Sequence, residues 1–199
     1  MSNSAPGQLD LLGGIVDATP RHRLFLALLP DEATRSAFVR TASSLKSAQA
    51  ALPARWIESS RYHATLHFLG DHATLRDDLV AAISTAVDTV SLAPFPWTLD
   101  QASSFRGRQP PLILQGTVTP EPLQQLWQRM QHALVLAGLG KSLERQFTPH
   151  ITLAYARDAL PTTAIAPIEW RIDGFALLHS VLGQGDGYQV LGRWVFNGA

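Results

Sequence analysis

The sequence predicts an α+β fold built from two related halves. Three observations carry that expectation. A short phrase, His-x-Thr-Leu, recurs at His63–Leu66 and His150–Leu153, each time inside a run that reads as a strand. Strand and helix signals follow one another in the same order around both copies, over a span too long, and in copies too few, for a repeat array. The length, 199 residues, suits one sizeable domain or two small lobes around a real core.

Residues 1–20 read as a flexible extension: they lack a basic n-region, and Gly13-Gly14 and Asp17 interrupt their apolar part, unlike a signal peptide. A single domain over 21–199 is expected beyond it. Arg23–Leu29 (RLFLALL) is an apolar run ended by Pro30, the profile of a strand buried on both faces. Asp31 is placed as the N-cap of a helix with Ala33, Ala37, Phe38 and Leu45 on one side, ending near Ala50. Arg55–Ile57 is a short extended piece, and Tyr62–Leu69 the first motif strand, stopped by Gly70-Asp71. A second helix runs from about Leu75 to Val90 with Leu79, Ile83 and Val87 at helical spacing.

Phe95–Asp100 and Leu112–Val118 are strands around a polar loop, Ser103–Pro111. Thr119-Pro120-Glu121 opens a third helix, with Thr119 as cap and proline in the first position. Its buried stripe is Leu123, Leu126, Trp127, Met130 and Leu134, and Gly138 and Gly140 close it. The second motif strand covers His150–Ala156. Two further strands are expected near Arg171–Ser180 and Tyr188–Phe196, joined by the Gly183–Gly187 turn.

Composition narrows the function. Sixteen basic and sixteen acidic residues cancel, which argues against a protein that coats nucleic acid by charge alone. There is no cysteine, so disulfides, thiolate metal sites and cysteine nucleophiles are excluded. No window approaches the 18 or so apolar residues of a membrane span. A cytoplasmic, monomeric protein is expected.

Within a strand, residues i and i+2 share a face, so each motif presents an imidazole beside a hydroxyl. His63, Thr65, His150 and Thr152 together make a complete kit for metal-free phosphoester chemistry: a base, an acid and two donors for phosphate oxygens. Motif strands side by side about a pseudo-twofold would place both pairs in one groove. His67, four residues after His63, is expected on the same face and is a candidate substrate contact. Arg106 and Arg108 in the polar loop are candidates for phosphate or RNA backbone. Phe105, Trp56 and Phe147 are candidates for stacking on a base, with core packing the better reading for at least two of them. His22, His72, His132 and His179 are read as surface or structural.

These residues carry a family resemblance. The paired motifs, the RLFLALLP strand before an acidic helix start, RWIESSRYHATLHFLG, FTPHITLA and the C-terminal HSVLGQGDGYQVLGRWVF resemble the 2H phosphoesterase superfamily. Within it the chain is most similar to the RNA 2′,3′-cyclic phosphodiesterases, also called 2′-5′ RNA ligase-like proteins. The resemblance runs from about Arg21 to the end. It implies a bilobal fold, two pseudo-twofold related antiparallel-sheet lobes with outer helices and a central groove.

It also implies an activity: hydrolysis of a 2′,3′-cyclic phosphate, on an RNA 3′ end or a nucleotide, to a 2′-phosphomonoester. One histidine would deprotonate water and the other protonate the departing ribose oxygen, while Thr65 and Thr152 bind the non-bridging oxygens. No metal or nucleotide cofactor is implied. The reverse step, 2′-5′ joining, follows from microscopic reversibility. Two positions depart from the family pattern: His67 and Tyr155 stand where arginines are common, which places both beside the substrate.

Three alternatives remain open on the sequence. HATLH has the i, i+4 spacing of a zinc helix, but threonine replaces the glutamate base and the flanks read as strand. A non-catalytic binder of RNA ends is the second. The third is a 2H phosphoesterase acting on another nucleotide, such as a 2′-5′ linked one, ADP-ribose cyclic phosphate or a 3′-terminal adenylate mark.

Overall fold

The computed structural model describes residues 21–49, 53–183 and 187–196. The extension 1–20, the helix end at Ala50 and positions 184–186 of the Gly183–Gly187 turn lie outside them. The first half comprises β1 (His22–Leu28), α1 (Glu32–Ala48), β2 (Ala54–Trp56), β3 (Ala64–His72) and α2 (Asp77–Val87). The second comprises β4 (Phe95–Ser104), β5 (Pro111–Gln115), α3 (Glu121–Leu136), β6 (Ile151–Ala156) and β7 (Thr163–Ile172). The chain ends its described part with β8 (Gly174–Val181) and β9 (Gln189–Val195).

The strands form two antiparallel sheets, ordered β3-β1-β8-β9 and β2-β6-β5-β4-β7. Setting β2 aside, the two orders correspond: each motif strand pairs with the strand that feeds it through a helix, β3 with β1 across α1 and β6 with β5 across α3. The two-halves expectation is thereby realised as an α+β fold.

Local chemistry accounts for the elements. Leu24–Leu28 are all buried, so β1 is covered on both faces. Leu24, Leu26 and Leu28 enter the main core, whereas Phe25 and Ala27 join a small second cluster with Ala176 and Leu178. Asp31 caps α1, its Oδ1 accepting from the Thr34 amide at 2.8 Å. Phe38 packs edge-on against Trp170 of β7 at 5.7 Å. Ala33 is exposed, and Thr34 takes its place on the buried face. The α3 stripe is buried as predicted, but Thr119 does not cap it. Pro120 occupies that position with extended ψ, its carbonyl accepting from the Leu123 amide at 3.0 Å.

One strand was not anticipated. The sequence reads Arg171–Ser180 as a single strand, yet two meet there. β7 pairs with β4 in one sheet and β8 with β1 in the other, so the chain crosses between sheets at Asp173-Gly174. A Cβ on Gly174 would collide with the Trp194 carbonyl, which is why glycine serves at the crossing. β7 escaped notice because its first residues are exposed at a sheet edge and interrupted by Pro167.

Both motif strands also carry a bulge at the same place. On β3, Thr65 faces Ala27 and His67 faces Leu26, so Leu66 is the extra residue. On β6, Thr152 faces Ile113 and Ala154 faces Leu112, so Leu153 is the extra one. A bulge reverses the alternation beyond it.

Candidate active site

His63, Thr65, His150 and Thr152 line one cavity of about 670 Å³ to which both motif strands contribute. The two halves orient their imidazoles in the same way. His63 Nδ1 lies 2.8 Å from the Arg61 carbonyl, and His150 Nδ1 lies 2.7 Å from the Thr148 carbonyl. A carbonyl only accepts, so in each ring Nδ1 carries the proton and Nε2 is the bare nitrogen. His63 Nε2 then accepts from the Thr65 hydroxyl at 3.1 Å.

Burial sets the protonation of the pair. It pushes His63 down to about 4, helped by the charges of His150 and Arg61 and opposed by the bond to the Arg61 carbonyl. Burial also lowers His150, opposed by its bond to the Thr148 carbonyl. The His63 ring sits between Phe25, 5.1 Å away, and the edge of Tyr188, 5.0 Å away. His150 meets Phe105 edge-on at 4.8 Å.

The bulges decide which side chain each strand presents to the groove after its motif. Beyond Leu66 the groove side passes to Phe68, and beyond Leu153 it passes to Tyr155; both line the cavity. Each aromatic carries an arginine from an adjacent strand, Arg23 over Phe68 at 5.3 Å and Arg55 over Tyr155 at 4.9 Å. Tyr155 therefore lines the groove, although strict alternation from His150 and Thr152 would turn it away.

His67 does not line the groove, and this corrects the expectation of a substrate contact. The bulge turns it to the opposite face, where it is 1 % exposed and its Nε2 donates to the Trp127 carbonyl at 3.0 Å. Phe105 meets the His150 ring, but neither it nor Arg106, which is exposed in its loop, is among the cavity's lining residues. Of the other aromatic candidates, Trp56 lines the cavity and Phe147 stacks on Trp127.

Several groove residues were not foreseen from the sequence. Arg55 and Arg61 flank the first motif within RWIESSRYHATL, where nothing in the local pattern assigns either arginine a role. Arg61 lies over the Tyr188 ring at 4.9 Å. Phe25, Arg23 and Tyr188 carry no local signal at all. Arg23 is tied to Asp71 through two bonds, 2.8 and 2.9 Å. Among the described residues Arg55 and Arg61 have no ion-pair partner. No cluster of three or more His, Cys, Asp or Glu suited to a metal occurs among them either.

The phrase also occurs a third time, at His72–Leu75. There the strand ends at His72, whose Nε2 donates to the Leu69 carbonyl at 3.2 Å, and Thr74 lies exposed in a bend. That copy forms no part of the groove.

Two antiparallel sheets, each setting a histidine directly ahead of a strand and a threonine on it in a shared groove, are the arrangement of a 2H phosphoesterase. Comparison with known proteins agrees. The family model described as the 2′-5′ RNA ligase superfamily matches residues 30–184, and the chain belongs to that family.

A curated relative, the RNA 2′,3′-cyclic phosphodiesterase of Geobacillus stearothermophilus, is 36 % identical over 110 residues, 54 % of this chain and 34 % of the relative. The match thus spans about a third of that relative's length. Among solved structures, E. coli LigT complexed with 3′-AMP superposes with a TM-score of 0.74 at 26 % identity, covering 89 % of this chain and 99 % of LigT. TT0787 of Thermus thermophilus gives 0.69 at 25 % identity, covering 88 % and 98 % of the two chains. No helix among the described residues is long and apolar enough to cross a membrane.

Proposed function

We propose that the groove opens 2′,3′-cyclic phosphates, on RNA ends or nucleotides, to 2′-phosphomonoesters through the two imidazoles, with no metal or nucleotide cofactor in the chemical step. One observation carries this reading: two Nε2 atoms, each freed by an Nδ1–H bond to a carbonyl, in a single cavity of about 670 Å³. Water adds to phosphorus while the P–O3′ bond breaks. The neutral imidazole takes the water proton, and the charged one gives its proton to O3′. With substrate bound, the Thr65 hydroxyl turns its proton from His63 Nε2 to the phosphate, and Thr65 and Thr152 donate to the non-bridging oxygens as charge grows on them. Arg55 and Arg61 add positive potential at the rim.

The competent pair holds a single proton, and its titrations belong to the pair rather than to either ring. The direct test is incubation with the four nucleoside 2′,3′-cyclic monophosphates in EDTA, with products assigned by phosphorus NMR. The expected product is the 2′-phosphate. Formation of 3′-phosphate alone, or no turnover, overturns the reading.

A further inference from the structure

His67 and Phe147 play no part in the proposed chemistry, yet they join the two halves. The His67 ring stacks on the Trp127 indole with centroids 5.1 Å apart and planes 18° apart. The indole in turn stacks on Phe147 at 5.4 Å and 8°. Phe147 directly precedes Thr148, whose carbonyl receives Nδ1–H of His150 at 2.7 Å. A pile of three rings therefore runs from β3, across α3, to the carbonyl that sets the His150 tautomer. Its β3 end is fixed by a hydrogen bond as well as by contact: His67 donates to the Trp127 carbonyl and leaves Nδ1 buried without a partner. A purely apolar ring would pack without stranding that nitrogen.

The other half needs no such pile. The carbonyl that orients His63 belongs to Arg61, in the 3-10 turn Ser59–Arg61. Backbone bonds hold that turn, from the Arg61 amide to the Glu58 carbonyl at 2.9 Å and from the Tyr62 amide to the Ser59 carbonyl at 3.2 Å. Residues 147–150 have no regular secondary structure. Pro149 is buried and offers no amide to anchor them.

We infer that Phe147, seated on Trp127 by His67, is a positioning residue for His150: it holds the Thr148 carbonyl where it fixes the Nδ1–H tautomer and so keeps Nε2 turned to the groove. The catalytic meaning of this rests on the proposed function, but the tautomer does not.

The experiment is nitrogen-15 NMR of the imidazoles in the full chain near pH 8, with kinetics on adenosine 2′,3′-cyclic phosphate alongside. In the wild type both His63 and His150 are expected as Nδ1–H tautomers. Phe147→Ala should mix the tautomers of His150 alone and lower kcat about 10- to 100-fold, with KM within about threefold. Phe147→Tyr, which keeps the ring, should restore both readouts. Should Phe147→Ala fail to fold, Phe147→Leu is read in its place, since it too removes the stack. An unchanged His150 tautomer, or equal disturbance of His63, overturns the inference. If even the wild type turns nothing over, the proposed function fails, and the tautomers still decide this point.

Discussion

Both imidazoles donate Nδ1–H to the carbonyl two residues upstream, yet the two halves house them differently. His63 lies between Phe25 and Tyr188 and is held to about 4. His150 has one ring beside it among the described residues, Phe105, and burial lowers it as well. Thr65 bonds its own histidine, whereas no such bond is found for Thr152. The arginine beside the first motif strand is paired with Asp71, while that beside the second has no ion-pair partner among the described residues. Duplicated backbone geometry thus provides two equivalent nitrogens, and unequal packing makes them unequal acids.

The largest way to challenge this comparison is to remove either ring. His63→Ala and His150→Ala should each lower kcat on a cyclic phosphate by about 10²–10⁴-fold. The double variant should lose little more, because the two act as a unit. Steady-state kinetics with EDTA present checks this, and a full additive loss would break the pairing.

Next come the hydroxyls. Thr65→Val and Thr152→Val should each cost about 100-fold, the scale for removing one oxyanion donor. If one loss greatly exceeds the other, only that threonine faces the phosphate.

The smallest effect concerns acidity. The singly protonated pair is active, so kcat/KM should peak between about 4, where His63 takes its proton, and the ordinary 6.5, below which His150 lies. Above the upper limit both rings are neutral, and below the lower one both are charged. Tyr188→Leu wets His63 and should raise the acid limb by about one pH unit, while Phe105→Leu should raise the alkaline limb by less. A pH–rate series on the three proteins reads this out. Equal shifts would mean the packing difference is immaterial.

Much of the fold was legible because it is locally encoded. The capping aspartate of α1, the α3 stripe and the presence of both motif strands follow from the period and cap chemistry of neighbouring residues, although β3 runs on through Gly70-Asp71, where the sequence predicts its end. The four motif residues were legible for the same reason, since alternation carries a histidine and a threonine to one face. Failures arose where a distant partner intervenes. Alternation predicted His67 in the groove, but the bulge against β1 turned it into the core and brought Phe68 forward. The same device on β6 brought Tyr155 into place. β7 and β8 were merged because the sheet change at Asp173-Gly174 leaves no local pattern.

By itself, then, the sequence determined the helices, most of the strands and a pair of imidazole–hydroxyl faces. Only the tertiary structure decided the fate of His67, which the bulge against β1 turns away from the groove and into the core. It also decided which rings flank His63, which arginines reach the groove and how far each imidazole is dried. Periodicity and capping depend on residues a few places apart, whereas register, bulging and burial depend on strands brought together from more than a hundred positions away, as Tyr188 is to His63.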